Sequence, residues 1–256
     1  MFGFQSVERK EYKKNFLRKV FFQIQYSSCK NLKDNSSQIE LLFKDTFPRF
    51  NLGKGKGFQI SIDKEKTNFQ HIEEGDNIIL KSLDGQKEIN ISETSLNFSV
   101  EGGVYSRYDS ILSDLESIIE FLNICNIEKV NRFSIRKINI VEFKNNDNPN
   151  GILDLLLNKA LINNNDAFPN MNNINHNIHS VNFVNESYFL NLKYGMNILP
   201  QLNGERGQLI IDIEIANKNQ ILLLEILNES SKINSEIFNV FDWVINENTK
   251  NLLNNG

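Results

Sequence analysis

Histidine and cysteine are scarce in this chain, with three and two residues respectively among 256. Few histidines means few general bases, and a serine or cysteine nucleophile without a positioned base is a poor catalyst. His176 and His179 form an H-x-x-H pair that reads as part of an asparagine-rich loop, and His71 stands apart from both. A zinc site would need a further ligand on a rigid element and a surrounding layer of hydrogen bonds. Neither an HExxH pattern nor a nearby cysteine supplies them. Cys29 and Cys125 lack C-x-x-C spacing and fall in different predicted elements. They fit unpaired thiols in a reducing cytoplasm better than a disulfide framework.

Long apolar runs are missing too. Residues 1–19 carry charges every few positions around no apolar centre, so they read neither as a signal peptide nor as a membrane span. No later stretch reaches the roughly 20 apolar residues a spanning helix needs. The expectation is a cytoplasmic chain without membrane contact, long enough to bury about three-quarters of its unfolded surface.

Asparagine is abundant instead: 40 residues, 32 of them beyond Leu122. The bias reads as codon usage in an AT-rich genome rather than a recognition surface. Net charge is −4, which argues against wholesale nucleic-acid binding. The distribution is uneven, since residues 1–60 carry 12 Lys or Arg against 5 Asp or Glu, leaving +7 there and −11 elsewhere. Opposite poles steer a partner or draw copies together head to tail, so a homodimer belongs among the expectations.

The order of predicted elements recurs at a displacement of about 113 residues. Residues 19–26 alternate like a strand, Ser37 and Glu40 form a capping box for a helix over 37–47, and Pro48 stops it. Asn51 to Gly57 reads as a glycine-lysine loop before a short strand at 58–62. Strands over 77–83 and 87–91 flank Asp84-Gly85, a tight type I′ hairpin signal, and a strand at 95–100 precedes an amphipathic helix over 107–122. The order then restarts with a strand at 133–143, a helix over 149–162 capped by Asn148-Pro149, and a mobile polar loop from 163 to 177. Strands at 181–184, 188–194 and 209–216 follow, with turns at Asn185-Glu186 and Asn203-Gly204, and helical segments close the chain over 219–253.

This pattern predicts an α+β fold: two pseudo-repeated β-α-meander-α units forming a mainly antiparallel, curved sheet with helices on one face. Its shape would be a saddle like that of TATA-binding-protein-type folds. The predicted divisions are a basic lead-in over 1–17 and repeats over 18–128 and 129–256, the two repeats making one compact domain.

Two stretches invite a chemical reading. Gly53-Lys54-Gly55-Lys56-Gly57 offers backbone N–H groups and cations, but a phosphate loop requires a strand before it and a helix after it. The predicted order here is the reverse. Asp212 and Glu214 share one strand face, an arrangement that can hold a divalent metal for phosphodiester cleavage. Restriction-like nucleases place a lysine two residues after the second acid, and Ala216 stands there.

The segment Arg132-Phe133-Ser134-Ile135-Arg136-Lys137-Ile138-Asn139 resembles the signature R-x-G-L-R-Y-I-N of a sporadically distributed bacterial and archaeal family of unknown function. The strand before Gln23, the strand holding Asp212 and the run Asn234-x-x-x-Phe238-x-x-x-Asp242 resemble it as well, while Ser134 and Lys137 depart from the signature. The resemblance carries Arg132, Arg136, Asn139 and Asp212 onto matching positions. It implies no known reaction. The patchy distribution is like that of accessory microbial genes such as antiviral defence or toxin-antitoxin components.

The expectation is therefore a non-enzymatic binding or regulatory protein acting on a protein partner, with no cofactor, metal or catalytic residue assigned. Contacts to ligand or partner are expected from Arg132, Arg136, Asn139 and Asp212. The alternatives are a nucleic-acid or nucleotide-binding protein using Arg132, Arg136 and the basic N-terminal pole, and a metal-dependent nuclease using Asp212 and Glu214. A cleft between the two repeats is the first place to look.

Overall fold

The computed structural model of this chain describes residues 1–7, 12, 14–29, 32–63, 66–144, 153, 155–162, 176–198 and 206–255. Alternation of side chains makes β1 (Leu17–Tyr26), which buries Val20, Phe22, Ile24 and Tyr26 and turns Lys19, Phe21, Gln23 and Gln25 to the other face. It is followed by α1 (Ser36–Phe43), β2 (Arg49–Asp63), β3 (Lys66–Lys81), β4 (Lys87–Ile91), β5 (Ser95–Glu101) and α2 (Leu112–Ile124). The chain continues through β6 (Lys129–Lys144), β7 (His176–Val184), β8 (Tyr188–Ile198), β9 (Arg206–Asn217), a short β10 (Ile221–Leu222), α3 (Ile226–Val244) and α4 (Glu247–Asn255).

The strands form one large sheet in the order β2-β3-β4-β5-β1-β6-β9-β8-β7, with β10 added on β6 and every pairing antiparallel. The fold is α+β. At its middle β1 lies along β6, with Lys19 opposite Ile138 and Gln25 opposite Arg132, before a register shift brings Tyr26 opposite Val130.

Helical spacing decides which face is covered. Leu115, Ile118, Phe121 and Leu122 of α2 and Ile233, Ile237, Val240 and Val244 of α3 are buried in the same core as Phe22, Phe98, Phe133 and Ile213 of the strands. Each such side chain contributes about 1.5–3 kcal/mol of transfer free energy. Gly102 follows β5 where a β-carbon would sit 1.7 Å from the backbone oxygen of Leu17, so only glycine fits. Asn126 closes α2 at φ +56°, a left-handed residue of the kind that ends helices, and β6 begins three residues later.

Several expectations change. Residues 51–57 are strand: β2 pairs with β3 from Arg49 opposite Lys81 to Asp63 opposite Lys66, so the glycines and lysines lie in a long hairpin. α1 starts at Ser36 with Asn35 at its N-cap and no side-chain cap bond, so Ser37 lies inside the helix and makes no capping box. The Asp84-Gly85 turn is wider than a type I′ turn, because only Gly85 has positive φ. There the amide of Gly85 donates to the Ser82 carbonyl, and Ser82 Oγ donates to Asp84 Oδ1. The Asn185-Glu186 turn forms, with Asn185 Oδ1 accepting from the amides of Ser187 and Tyr188. Leu153, Leu155 and Leu156 are helical, and the rest of 149–154, most of the 163–177 loop and Asn203-Gly204 lie outside the described residues.

The start of the chain packs rather than trailing in solvent. Phe2 donates its amide to Glu236 Oε1 and Val7 donates its own to Asn239 Oδ1, while the Phe4 ring meets Trp243 edge-on at 5.2 Å. Residues 1–7 of the lead-in are thus laid along α3, while the Lys14 amide donates to the Leu253 carbonyl of α4.

Cys29 and Cys125, 96 positions apart in the sequence, are joined in a disulfide with Cα atoms 5.4 Å apart. The expectation of unpaired thiols is overturned, and a reducing compartment no longer follows from the cysteines. Pairing was invisible in the sequence because it depends on the turn after β1 meeting the end of α2. Among the described residues no helix is long and apolar enough to cross a membrane.

Candidate functional site

Side chains directly opposite one another across paired strands point to the same face, so register assigns the face that the helices leave open. Gln23 of β1 lies opposite Ser134 and Asn97, and Phe21 lies opposite Arg136 and Ser99. Arg136 lies opposite Glu214, which faces Asn191, and Asp212 faces Lys193. The open face therefore carries asparagine, serine and glutamine between charged residues, with Phe21, Ile138, Ile140 and Ile210 among them.

Four ion pairs cross it between neighbouring strands. Arg136 grips Asp212 with two parallel hydrogen bonds, Nε to Oδ1 at 2.8 Å and Nη2 to Oδ2 at 2.6 Å. Arg132 Nη2 reaches Glu214 Oε1 at 2.8 Å. Lys19 pairs with Glu101 at 2.9 Å and Lys81 with Glu88 at 2.8 Å on the same face. The hydrogen bond and charge of Asp212 raise the pKa of Arg136 further above its ordinary value. The Phe21 ring lies 5.4 Å from Lys19 Nζ and 6.0 Å from the Arg136 guanidinium, holding both cations against the sheet.

The structure brings Arg132, Arg136 and Asp212 together with Glu214 and sets Asn139 on the opposite face. Asn139 is 8% exposed, and its amide nitrogen donates to the Ile211 carbonyl at 3.4 Å. It lines a cavity of about 580 Å³ between the N-terminal segment, β6, the turn before α2, and α3. Lys14, Arg107 and Lys137 border this cavity with Asp109, and Tyr105, Phe238 and Phe241 wall it. Behind the wall, Asn234 Oδ1 accepts from Lys137 Nζ at 2.6 Å and from Tyr105 OH at 3.1 Å, and the Lys137 ammonium lies 4.9 Å from the Tyr105 ring centre.

No protein-family model matches the chain, and no curated protein matches it either. The site is read from its own geometry.

That geometry bears on the two alternatives. With both carboxylates engaged by arginines, Asp212 and Glu214 present no open pair of oxygens, and among the described residues no group of three or more His, Cys, Asp or Glu is placed to hold a metal ion. His176 and His179 are in β7 rather than in a loop, and three positions apart on a strand they face opposite sides. His179 stacks on Tyr194 at 5.3 Å, a packing role.

Two residues of this region, Lys137 and Asn217, carried no functional signal in the sequence, and Asn234 entered only through the resemblance of its helix. Lys137, read only as a departure from a signature, is a half-buried cation at the border of the cavity. Asn234 holds it from α3. Asn217 accepts a hydrogen bond from the Phe133 amide beside the register shift of β6, satisfying a backbone group the bulge would otherwise strand.

Tyr12, at the cavity rim, donates to Asp242 Oδ1 at 3.2 Å. Burial, reinforced by the Asp242 charge, pushes its phenol up from 10.0 to about 12. Because the folded value is raised, the stabilisation is fully present below about pH 10 and is lost as pH climbs through about 12. A difference absorbance titration at 295 nm, wild type minus Tyr12→Phe, should show that phenol ionising near pH 12. A difference transition near the ordinary tyrosine value of about 10 would contradict the buried hydrogen bond.

Proposed function

We propose that this protein is a non-enzymatic binding protein that holds a protein partner on the open face of its sheet. The observation that carries the reading is four cross-strand ion pairs on that face, Lys19–Glu101, Lys81–Glu88, Arg132–Glu214 and Arg136–Asp212. A nucleic-acid interface draws its affinity from cations that neutralise phosphates and release counterions. Here the arginines expected to do this are neutralised by their own carboxylates. The intervening amides and hydroxyls both donate and accept, which suits a protein surface better than a phosphate backbone that only accepts.

The reading includes an internal duplication. Outward from the central seam the strands run β1-β5-β4-β3-β2 on one side and β6-β9-β8-β7 on the other, the same path with one strand fewer. A saddle with its concavity on the polar face is the shape this order favours, since sheets of this width twist and coil. An accessory microbial defence or toxin-antitoxin system is the setting suggested by the resemblance of the 132–139 strand.

The test is co-expression with the products of adjacent genes followed by size-exclusion chromatography. One of them should co-elute with the wild type and separate from an Asn97→Arg/Asn191→Arg variant whose circular dichroism is unchanged. Absence of any co-eluting product, or tight DNA or RNA binding that collapses with added salt, would overturn the reading.

A further inference from the structure

We infer that the cavity between the N-terminal segment, β6 and α3 binds a small neutral aromatic compound that donates an N–H or O–H hydrogen bond to Asn139. The cavity lies on the helix-covered side of the sheet, apart from the partner surface. Its volume of about 580 Å³ falls within the range of small-molecule sites, roughly 300–1,000 Å³.

One buried atom sets the polar requirement. Asn139 is 8% exposed, and its Nδ2 donates to the Ile211 carbonyl. A carbonyl only accepts, so the amide nitrogen must be the end that faces it, and Oδ1 is the end left over. Among the described residues this oxygen has no hydrogen-bond partner. Nor is it sealed inside the protein: among those residues Asn77 Oδ1 is the one fully enclosed side-chain polar atom that stays unpaired. Asn139 Oδ1 therefore keeps accessible surface, and the open space its residue lines is the cavity. A largely buried oxygen without a partner favours a ligand that brings a donor to it. It disfavours a carboxylate or phosphate, which would set acceptor against acceptor.

Neighbouring polar groups already have partners. The Tyr12 hydroxyl donates to Asp242, and Tyr105 OH and Lys137 Nζ both donate to Asn234. Asn15 Oδ1 accepts from the Leu17 amide while its Nδ2 donates to the Gly102 carbonyl. A donor on the ligand thus gains most at Asn139. Apolar walls define the rest of the ligand. Ile237, Phe241 and Leu253 are buried and line the space. Phe238 and Phe241, three positions apart on α3, share a helix face, and Phe16 approaches from the segment that leads into β1. Rings gain from offset or edge contacts with other rings, so a flat aromatic body suits these walls better than an aliphatic one of equal area.

The test is calorimetric titration of the full chain with indole and phenol, their methylated forms 1-methylindole and anisole, and indole-3-carboxylate. Saturable binding of indole or phenol is expected, with the methylated form of each binder about tenfold weaker, the scale of one hydrogen bond to an otherwise unpaired group. The methylated compounds are the more apolar, so burial alone would reverse that order. In Asn139→Leu, with its fold checked by circular dichroism, the gap between each donor and its methylated form should close. Should that variant fail to fold, the wild-type comparison still decides. The inference is overturned if neither indole nor phenol binds, if methylation leaves the affinity unchanged, if the gap persists in Asn139→Leu, or if indole-3-carboxylate is the tightest probe.

Discussion

Replacing Cys29 and Cys125 together by alanine is expected to lower the unfolding free energy by about 4 kcal/mol. The bond closes a loop with 96 residues of separation, and in the chain-entropy account a cross-link of that span removes much freedom from the unfolded chain. Its position adds to the effect. Cys29 is fully buried and its amide donates to the Glu93 carbonyl at 2.7 Å, while Cys125 stands at the C-terminus of α2. The link therefore fixes the turn after β1 to the helix that covers β1. Alanine avoids leaving a hydroxyl in that buried position. In urea, the double variant should unfold at lower concentration, and wild type treated with reductant should follow it. Identical midpoints with and without reductant, together with two reactive thiols in the native protein, would refute the pairing.

Arg136→Met is expected to cost about 2–3 kcal/mol, because it leaves the Asp212 carboxylate with its bidentate partner gone. Asp212 is 7% exposed, so water replaces the guanidinium poorly. The cost falls short of a fully buried pair because the Arg136 side chain is 36% exposed and solvent screens it. Arg132→Met should cost under about 1 kcal/mol, since Arg132 and Glu214 are 37% and 20% exposed in their side chains. The double variant Arg136→Met/Asp212→Met should regain part of the loss, a coupling of about 1–2 kcal/mol. Equal costs for Arg136→Met and Arg132→Met in chemical denaturation would show that burial of Asp212 does not set the energy.

Periodicity made much of this architecture legible. The alternation of Val20, Phe22, Ile24 and Tyr26 marked β1, and the spacing of Leu115, Ile118 and Leu122 marked the covered face of α2. Where it failed, local signals competed with tertiary pairing. Glycines between Gly53 and Gly57 read as a loop because they interrupt apolar alternation, yet β3 supplies backbone partners along the whole stretch. β7 was read too short because His176, Asn177 and Ser180 give no apolar rhythm on an edge strand.

The candidate site was legible only in its parts. Arg132, Arg136 and Asp212 stood out singly, but their pairing depends on the register of β6 against β9, which no single segment encodes. Lys137 and Asn139 are two positions apart on one strand and so share a face, but the cavity they border also takes walls from the N-terminal segment, the turn before α2, and α3. A space enclosed by segments so far apart in the chain leaves no local pattern.

The central seam has a protective consequence. β1 and β6 are the strands that begin the two halves, and each has partners on both sides. Severed near Asn126, the chain would yield two sheets, each with a bare inner edge. Unpaired N–H and C=O groups would then run beside fully buried Val20 and Phe22 in one piece and Phe133 and Ile135 in the other. Long, apolar edges of that kind recruit foreign strands. By meeting in the middle, β1 and β6 hide from other chains the two edges best able to capture them, and leave polar β7 as one of the outer borders.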